Sequence, residues 1–152
     1  MFPMIATLQE LKDAKAVLEE CKAELRAEGL AFNETIKVGM MMETPAAVMI
    51  ADLLAAECDF FSIGTNDLTQ YVMAADRDNA KVAYLCDPDD IAVRRCITAI
   101  AKAAREAGIE VGMCGEYASD PRATAFLIEA GLNAFSVNAH AVAAVKSRIR
   151  EY

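Results

Sequence analysis

The chain has 152 residues, of which 55% are hydrophobic and 25% are charged. That much apolar side chain can form a core, so the composition excludes a disordered or fibrous protein. The 15 Lys and Arg residues against 23 Asp and Glu residues give a formal net charge of −8, which disfavours a nucleic-acid-binding protein. No apolar run approaches the roughly 18 residues of a membrane span, so membrane insertion is not expected.

The cysteines indicate a reducing compartment. They are odd in number, widely spaced and form no Cys-x-x-Cys pair, so neither a disulfide framework nor a zinc site is expected. The N-terminus has no basic segment before an apolar stretch, as a secretory signal would. We therefore expect free thiols in a cytoplasmic protein. The five residues are Cys21, Cys58, Cys86, Cys96 and Cys114.

The first third of the chain predicts a strand stub, a helix and a strand. Residues 1–5 form the stub, and Thr7 with Glu10 makes a capping box that begins the helix. Gly29 ends that helix. Residues 36–42 are apolar almost throughout, which is typical of a parallel strand covered on both faces.

The remaining elements continue the alternation of strand and helix. Thr44 and Pro45 supply an N-cap and a first-turn proline for a helix to Glu57. A strand over residues 59–63 and a polar loop over 64–67 follow. Further helices are predicted over residues 68–74, from Asp89 or Asp90 to Ala107, from Asp120 to Gly131 and from Asn138 to Arg150, with strands over 110–113 and 134–137.

This order gives four β-α units and a strand stub, which implies a parallel sheet with right-handed crossovers. An open doubly wound sheet and part of a (β/α)8 barrel both fit. A whole barrel needs about 250 residues, so this chain could supply about half of one. We expect residues 1–152 to form a single partial domain.

Polar side chains follow the apolar strands, where function gathers in either architecture. Glu43 and Asp67 lie one β-α unit apart, so their strands are candidates for neighbours. Two facing carboxylates repel unless a cation or a proton lies between them, and Mg²⁺ favours such ligands. Alternatively, Asp67 caps its helix and Glu43 pairs with a basic side chain.

Two further positions could bind or protonate a substrate. The backbone N–H groups around Asn66 could bind an anion, and Arg77 could reach an anionic substrate, although it could equally pair with the adjacent aspartates. Cys114 follows a strand and lies beside Gly115, so a ligand could approach its thiol, which can act as an acid or nucleophile. The alternative is a structural cysteine.

Three motifs make the chain similar to the PEP-utilising enzyme family. They are MMETPAA at 41–47, DFFSIGTNDLTQY at 59–71 and GMCGE at 112–116. The resemblance extends over essentially the whole chain. It is strongest to the members that transfer a phosphoryl group from phosphoenolpyruvate to a protein histidine in sugar transport. It implies the C-terminal half of a PEP-binding (β/α)8 barrel.

The resemblance also implies roles for individual residues. Glu43 and Asp67 would bind Mg²⁺, Asn66 and Asp67 would contact phosphoenolpyruvate, and Arg77 would hold its phosphate. Cys114 would protonate the pyruvate enolate that phosphoryl transfer leaves. The alternatives are the same barrel half of a pyruvate phosphate dikinase or PEP synthase, or a non-catalytic module for PEP or pyruvate binding or for dimerisation.

The resemblance further implies a phosphocarrier partner and a homodimer. The family's phosphate-binding arginines of the first barrel strands and its phosphorylated histidine have no counterpart in these residues, and His140 lies in no comparable motif. We therefore expect the isolated chain to be inactive. Ser119 and the segment 86–90 also depart from the family pattern.

Overall fold

The alternation of apolar and amphipathic segments folds into a parallel sheet covered by helices, in a computed structural model that describes residues 1–152. Neighbouring strands follow one another in sequence order, without the switch that marks a doubly wound sheet. The predicted stub is present as a parallel bridge between Phe2 and Met40. The strands are β1 (Gly39–Met42), β2 (Phe60–Gly64), β3 (Glu110–Cys114) and β4 (Ala134–Phe135).

Seven α-helices connect and follow the strands. The first begins at the predicted capping box, because the Thr7 hydroxyl accepts from the Glu10 N–H while the Glu10 carboxylate accepts from the Thr7 N–H. Asp90 caps the fifth helix, which ends at Gly108. The helices are α1 (Leu8–Ala27), α2 (Pro45–Met49), α3 (Ala51–Ala55), α4 (Thr65–Met73), α5 (Ile91–Ala107), α6 (Thr124–Ala130) and α7 (Val142–Ile149).

The two faces of the sheet differ. In β1, β2 and β3, alternate residues such as Met42, Phe61 and Met113 are buried beneath the helices. The residues between them, such as Ser62 and Gly112, line an open groove. For residues 36–42, where the sequence predicts a strand covered on both faces, Gly39, Met40 and Met42 of β1 are buried and Met41 is partly exposed. Helices on one face of a consecutively ordered parallel sheet make the chain part of a (β/α)8 barrel, as the sequence predicted.

Two predicted segments are shorter or broken. β1 begins at Gly39 instead of residue 36, and Ile36 is 51% exposed. The chain joins the sheet only beyond Val38, whose N–H donates to the Asp59 carboxylate at 2.6 Å. The helix that Thr44 caps is interrupted at Ile50, whose φ and ψ of −122° and 26° are not helical, so it forms two short helices.

Three helix starts also differ from the prediction. The predicted loop 64–67 does not form, because α4 begins at Thr65, immediately after β2. α6 begins at Thr124, because the Asp120 carboxylate accepts from the Arg122 N–H and holds the preceding residues in a local turn. A short 3-10 turn at Ala139–Ala141 precedes α7. None of the helices combines the length and apolar character needed to cross a membrane.

Candidate active site at the carboxyl ends of the strands

Glu43 and Asp67 meet at the carboxyl ends of β1 and β2, as their spacing predicted. The pairing of Met42 with Ile63 brings these ends side by side. Glu43 is 2% exposed. Burial raises the pKa of its carboxyl group above the usual range, the Met4 N–H opposes this shift, and the nearby Asp67 carboxylate adds to it. Glu43 is thus buried beside Asp67, whose side chain is 37% exposed, and a cation between the two carboxylates would stabilise both charges.

Backbone features fix the Glu43 carboxylate in place. The Met4 N–H donates to Glu43 Oε1 at 2.7 Å. Met4 adopts a left-handed backbone conformation (φ 56°), which is uncommon for a residue other than glycine. On the other side, a Cβ atom on Gly64 would lie 2.6 Å from Glu43 Oε2. The stub and β2 therefore confine this carboxylate between them, and glycine at position 64 leaves the space it needs.

Asn66 and Arg77 both line a cleft with a volume of about 460 Å³, which we call the Asn66–Arg77 cleft. Asn66 and Asp67 lie in the first turn of α4, where a negative charge is favoured by the exposed N–H groups. Arg77 Nη1 lies 3.7 Å from Asp67 Oδ1, which is a long ion pair between partly exposed groups. The rest of the lining is Thr65, Thr69, Cys86, Pro88, Glu116 and Tyr117.

Cys114 lies at the end of β3, but it faces the open groove of the sheet and not the Asn66–Arg77 cleft. Its thiol is partly exposed, donates to the Ile63 carbonyl at 3.6 Å, and accepts from the Ser62 hydroxyl at 3.8 Å. The thiol thus lies one strand away from Asp67, which follows β2, and two strands away from Glu43, which follows β1. The backbone turn at Gly115 lies between Cys114, which lines the open groove, and Glu116, which lines the Asn66–Arg77 cleft.

Two residues of the site were missed by the sequence reasoning. Ser62 contacts the Cys114 sulfur, and Thr65 donates its hydroxyl proton to the Cys114 carbonyl at 3.1 Å. The alternation of β2 could have indicated Ser62, since every second residue shares the open face. The Thr65 contact had no sequence signal, because the two residues are 49 positions apart.

The other polar residues that follow strands do not lie with Glu43 and Asp67. Ser136 lines the open groove, and the Asn138 N–H donates to the Ser119 hydroxyl at 3.3 Å. His140 is exposed in the short turn before α7. No group of three or more His, Cys, Asp or Glu side chains is gathered as a metal site of protein ligands alone would require.

Comparisons with known proteins point to one family. Residues 1–152 match the family described as PEP-utilising enzyme, PEP-binding domain. Proteins named phosphoenolpyruvate-protein phosphotransferase are similar to this chain: 51% identical over 151 residues in Priestia megaterium, 50% over 151 in Streptococcus equinus and 49% over 150 in Haemophilus influenzae. Each alignment covers 99% of this chain, and the chain spans 26% of the length of each relative.

A solved structure supports the fold. A citrate lyase from Burkholderia xenovorans LB400 superposes with a TM-score of 0.66 at 22% identity, over 96% of this chain and 47% of that chain. At that identity the likeness concerns the fold alone. The family match over all 152 residues confirms the resemblance seen in the three motifs, and the chain belongs to the PEP-utilising enzyme family.

Proposed function

We propose that the chain is part of a phosphoenolpyruvate–protein phosphotransferase, which moves a phosphoryl group from phosphoenolpyruvate to a protein histidine and releases pyruvate. The observation that carries the proposal is the meeting of Glu43 and Asp67 beside the cleft that Asn66 and Arg77 line. The names of the relatives at about half identity favour this activity over that of a dikinase or synthase.

The donor set fits Mg²⁺. This ion is usually bound by one or two carboxylates, with water and substrate oxygens filling its other positions. Glu43 and Asp67 would be the two carboxylates. Burial, and to a lesser extent the Asp67 carboxylate, raises the pKa of Glu43, so a cation there would stabilise its charged form. When bound there, Mg²⁺ would supply positive charge to the phosphate and to the oxygen of the departing enolate.

The chain's own residues have distinct tasks in this proposal. Arg77 has one long contact to Asp67, so its other guanidinium N–H groups remain available to grip the phosphate. The Asn66 amide would donate to the substrate. When the P–O bond of phosphoenolpyruvate breaks, its electrons remain on the enolate oxygen, and the phosphoryl group forms a bond to the acceptor histidine.

The enolate then needs a proton on its terminal carbon. Cys114 would donate the proton of its partly exposed thiol to this carbon, giving pyruvate. The thiol's only acceptor is a carbonyl at 3.6 Å, so little hydrogen-bond energy opposes its release. The full-length protein would pass the phosphoryl group to a phosphocarrier protein. The five free thiols agree with the cytoplasmic location that this role requires.

The carboxylate pair is tested on the 152-residue chain. Mn²⁺ should broaden the amide signals near Glu43 and Asp67, and the double change Glu43→Gln, Asp67→Asn should abolish this broadening. Glu57→Gln is a matched control, because Glu57 lies away from the site, where its Oε2 atom is 3.0 Å from Lys15 Nζ. Broadening that persists in the double variant would reject the metal site.

The activity is tested after joining the chain to the missing parts of a relative's enzyme. Cys114→Ala should abolish pyruvate formation while phosphoenolpyruvate still binds. Near-normal pyruvate formation would show that another acid protonates the enolate. The isolated chain should show no turnover, because the upstream phosphate ligands and the acceptor histidine are not among its residues.

We also infer that the chain forms a homodimer. The short β4 and the stub at Phe2 leave unpaired backbone groups at the edges of the sheet, and its inner face is open. A second copy could cover this face, and repulsion between two chains of charge −8 extends only about 8 Å at physiological salt. Light scattering during size-exclusion chromatography tests this, and a monomer of 16.4 kDa at tens of micromolar would contradict it.

A further inference from the structure

Thr65 lies between the Asn66–Arg77 cleft and the Cys114 end of the open groove. It is the first residue of α4, immediately before Asn66 and Asp67, and it lines the cleft that contains Arg77. Its side chain points toward the end of β3, where its hydroxyl donates to the Cys114 carbonyl at 3.1 Å. Only 1% of the residue is exposed, so water cannot readily replace this hydrogen bond.

The turn after Cys114 packs directly on this side chain. Gly115 has a left-handed φ of 98°, and a Cβ atom there would lie 2.7 Å from Thr65 Oγ1 and 3.1 Å from Asn66 Oδ1. A residue with a side chain would therefore be both strained and too close. Glycine at position 115 therefore allows the turn after β3 to lie against the first turn of α4.

We propose that Thr65 is a positioning residue that holds the Cys114–Gly115 turn against the start of α4 and so sets the distance from the thiol to the substrate-binding residues. This inference rests on the proposed function, in which Cys114 and Asp67 act on one substrate. Reactions of this kind lose rate when a reacting group is displaced by about 1 Å, so a buried hydrogen bond at this junction has a catalytic consequence.

The sequence offers a matched control on the same helix. Thr69 is also buried, at 3% exposure, and lines the same cleft, but its hydroxyl has no hydrogen-bond partner. Thr65→Val and Thr69→Val make the same isosteric change one helical turn apart. Only the first removes a contact to the thiol-bearing turn, so the pair separates positioning from general loss of polarity in the core.

The experiment measures how fast iodoacetamide alkylates each cysteine of the 152-residue chain, with peptides resolved by mass spectrometry. Thr65→Val should raise the Cys114 rate about fivefold, the factor expected from loss of one hydrogen bond. Thr65→Ser, which keeps the hydroxyl, should restore the wild-type rate, and Thr69→Val should leave it unchanged. Cys58, which is buried far from the turn, should not respond in any variant.

A second measurement reports the distance itself. With Mn²⁺ bound, Thr65→Val should reduce the broadening of the Gly115 amide signal while that of Glu43 stays the same. An unchanged Cys114 rate in Thr65→Val, or an equal change in Thr69→Val, would overturn the proposal. A rise at Cys58 equal to that at Cys114 would also overturn it, because the effect would then be general loosening.

The two proposals fail in different ways. Cysteine alkylation needs neither metal nor substrate, so it tests Thr65 even if no Mn²⁺ binds. Absence of Mn²⁺ broadening in the wild type would count against the proposed function alone. If Thr65→Val does not fold, Thr65→Ala removes the hydroxyl together with the γ-methyl group. Thr65→Ser lacks the same methyl group but keeps the hydroxyl, so the comparison of these two variants decides the matter.

Discussion

The covered and open faces of the sheet obey different rules. On the covered face, Met42, Phe61 and Met113 are at most 1% exposed and pack beneath the helices. On the open face of the same strands, Ser62, Gly112 and the partly exposed Cys114 line a groove. The covered face is specified by apolar volume, whereas the open face combines the aromatic ring of Phe60 with small and polar residues such as Ser62 and Gly112. The side chains proposed to act in the reaction, Glu43, Asp67 and Cys114, lie at the carboxyl ends of the strands.

The largest difference between the faces should appear in stability. Phe61→Ala removes a fully buried ring and should lower the free energy of unfolding by about 3–5 kcal/mol. Phe60→Ala makes the same chemical change one residue earlier, on the open face, where the ring is only partly buried. Its effect should be below about 1 kcal/mol, because little area leaves contact with other side chains.

Denaturant titration of both variants measures this contrast. Equal destabilisation by the two changes would mean that the open face is covered in solution, as a homodimer would cover it. Repeating the titration at several protein concentrations separates the cases, since only a dimer shows a concentration-dependent midpoint.

The order of elements was predictable because each depends on local signals. The Thr7 capping box and the Asp90 cap are set by residues within three positions of one another, and both formed as expected. Strand burial was less predictable. Residues 36–42 contain a single charged residue, Lys37, yet the sheet begins at Gly39, because pairing with Phe60 decides the boundary.

The site divides in the same way. The meeting of Glu43 and Asp67 followed from the rule that parallel neighbours end at one edge of the sheet. The helix start at Thr65 did not, since Gly-Thr-Asn-Asp has the composition of a loop. The Thr65 hydroxyl donates to the carbonyl of Cys114, which is 49 residues away, and no local sequence pattern predicts such a long-range hydrogen bond.

A smaller effect is expected where β2 meets the Glu43 carboxylate. Gly64→Ala would place a methyl group 2.6 Å from Glu43 Oε2, so the carboxylate must move. Overpacking of this kind costs about 1–3 kcal/mol of stability. Mn²⁺ binding, measured by signal broadening, should weaken as the carboxylate is displaced.

Gly108→Ala is the control for this change. Gly108 ends α5 with a φ of 72° and has no atom within 4 Å of a Cβ position, so alanine there strains only the backbone. It should destabilise the chain by about 1 kcal/mol without affecting Mn²⁺. Loss of Mn²⁺ binding in both variants would indicate that binding depends on overall stability and not on the Glu43 position.

Thr44 should matter through two contacts at the rim. Its hydroxyl accepts from the Ala47 N–H at 3.2 Å, which caps α2, and donates to the Ile5 carbonyl at 3.0 Å, which ties the stub to β1. Thr44→Ala should cost about 1–2 kcal/mol. Thr44→Ser should recover most of this in thermal or denaturant unfolding, and a serine variant as unstable as the alanine variant would show that the methyl group matters instead.

The smallest expected effect concerns the turn beyond Cys114 and appears only at alkaline pH. Tyr117 is 5% exposed, and its hydroxyl donates to the Asp89 carboxylate. Burial, then the Asp89 hydrogen bond and charge, raise the pKa of Tyr117 above that of an ordinary phenol. Since the folded state favours the neutral phenol, the resulting stability is complete below the unfolded pKa of about 10 and is lost as the pH rises further.

Two measurements follow from this sign. The ultraviolet titration of the wild type should contain a late tyrosine ionisation that Tyr117→Phe removes, and Asp89→Asn should move this step to lower pH by removing the carboxylate charge. The wild type should be more stable than Tyr117→Phe at neutral pH, and this advantage should shrink above about pH 10. A late ionisation that survives in Tyr117→Phe would mean that another tyrosine causes it and would contradict the assignment to Tyr117.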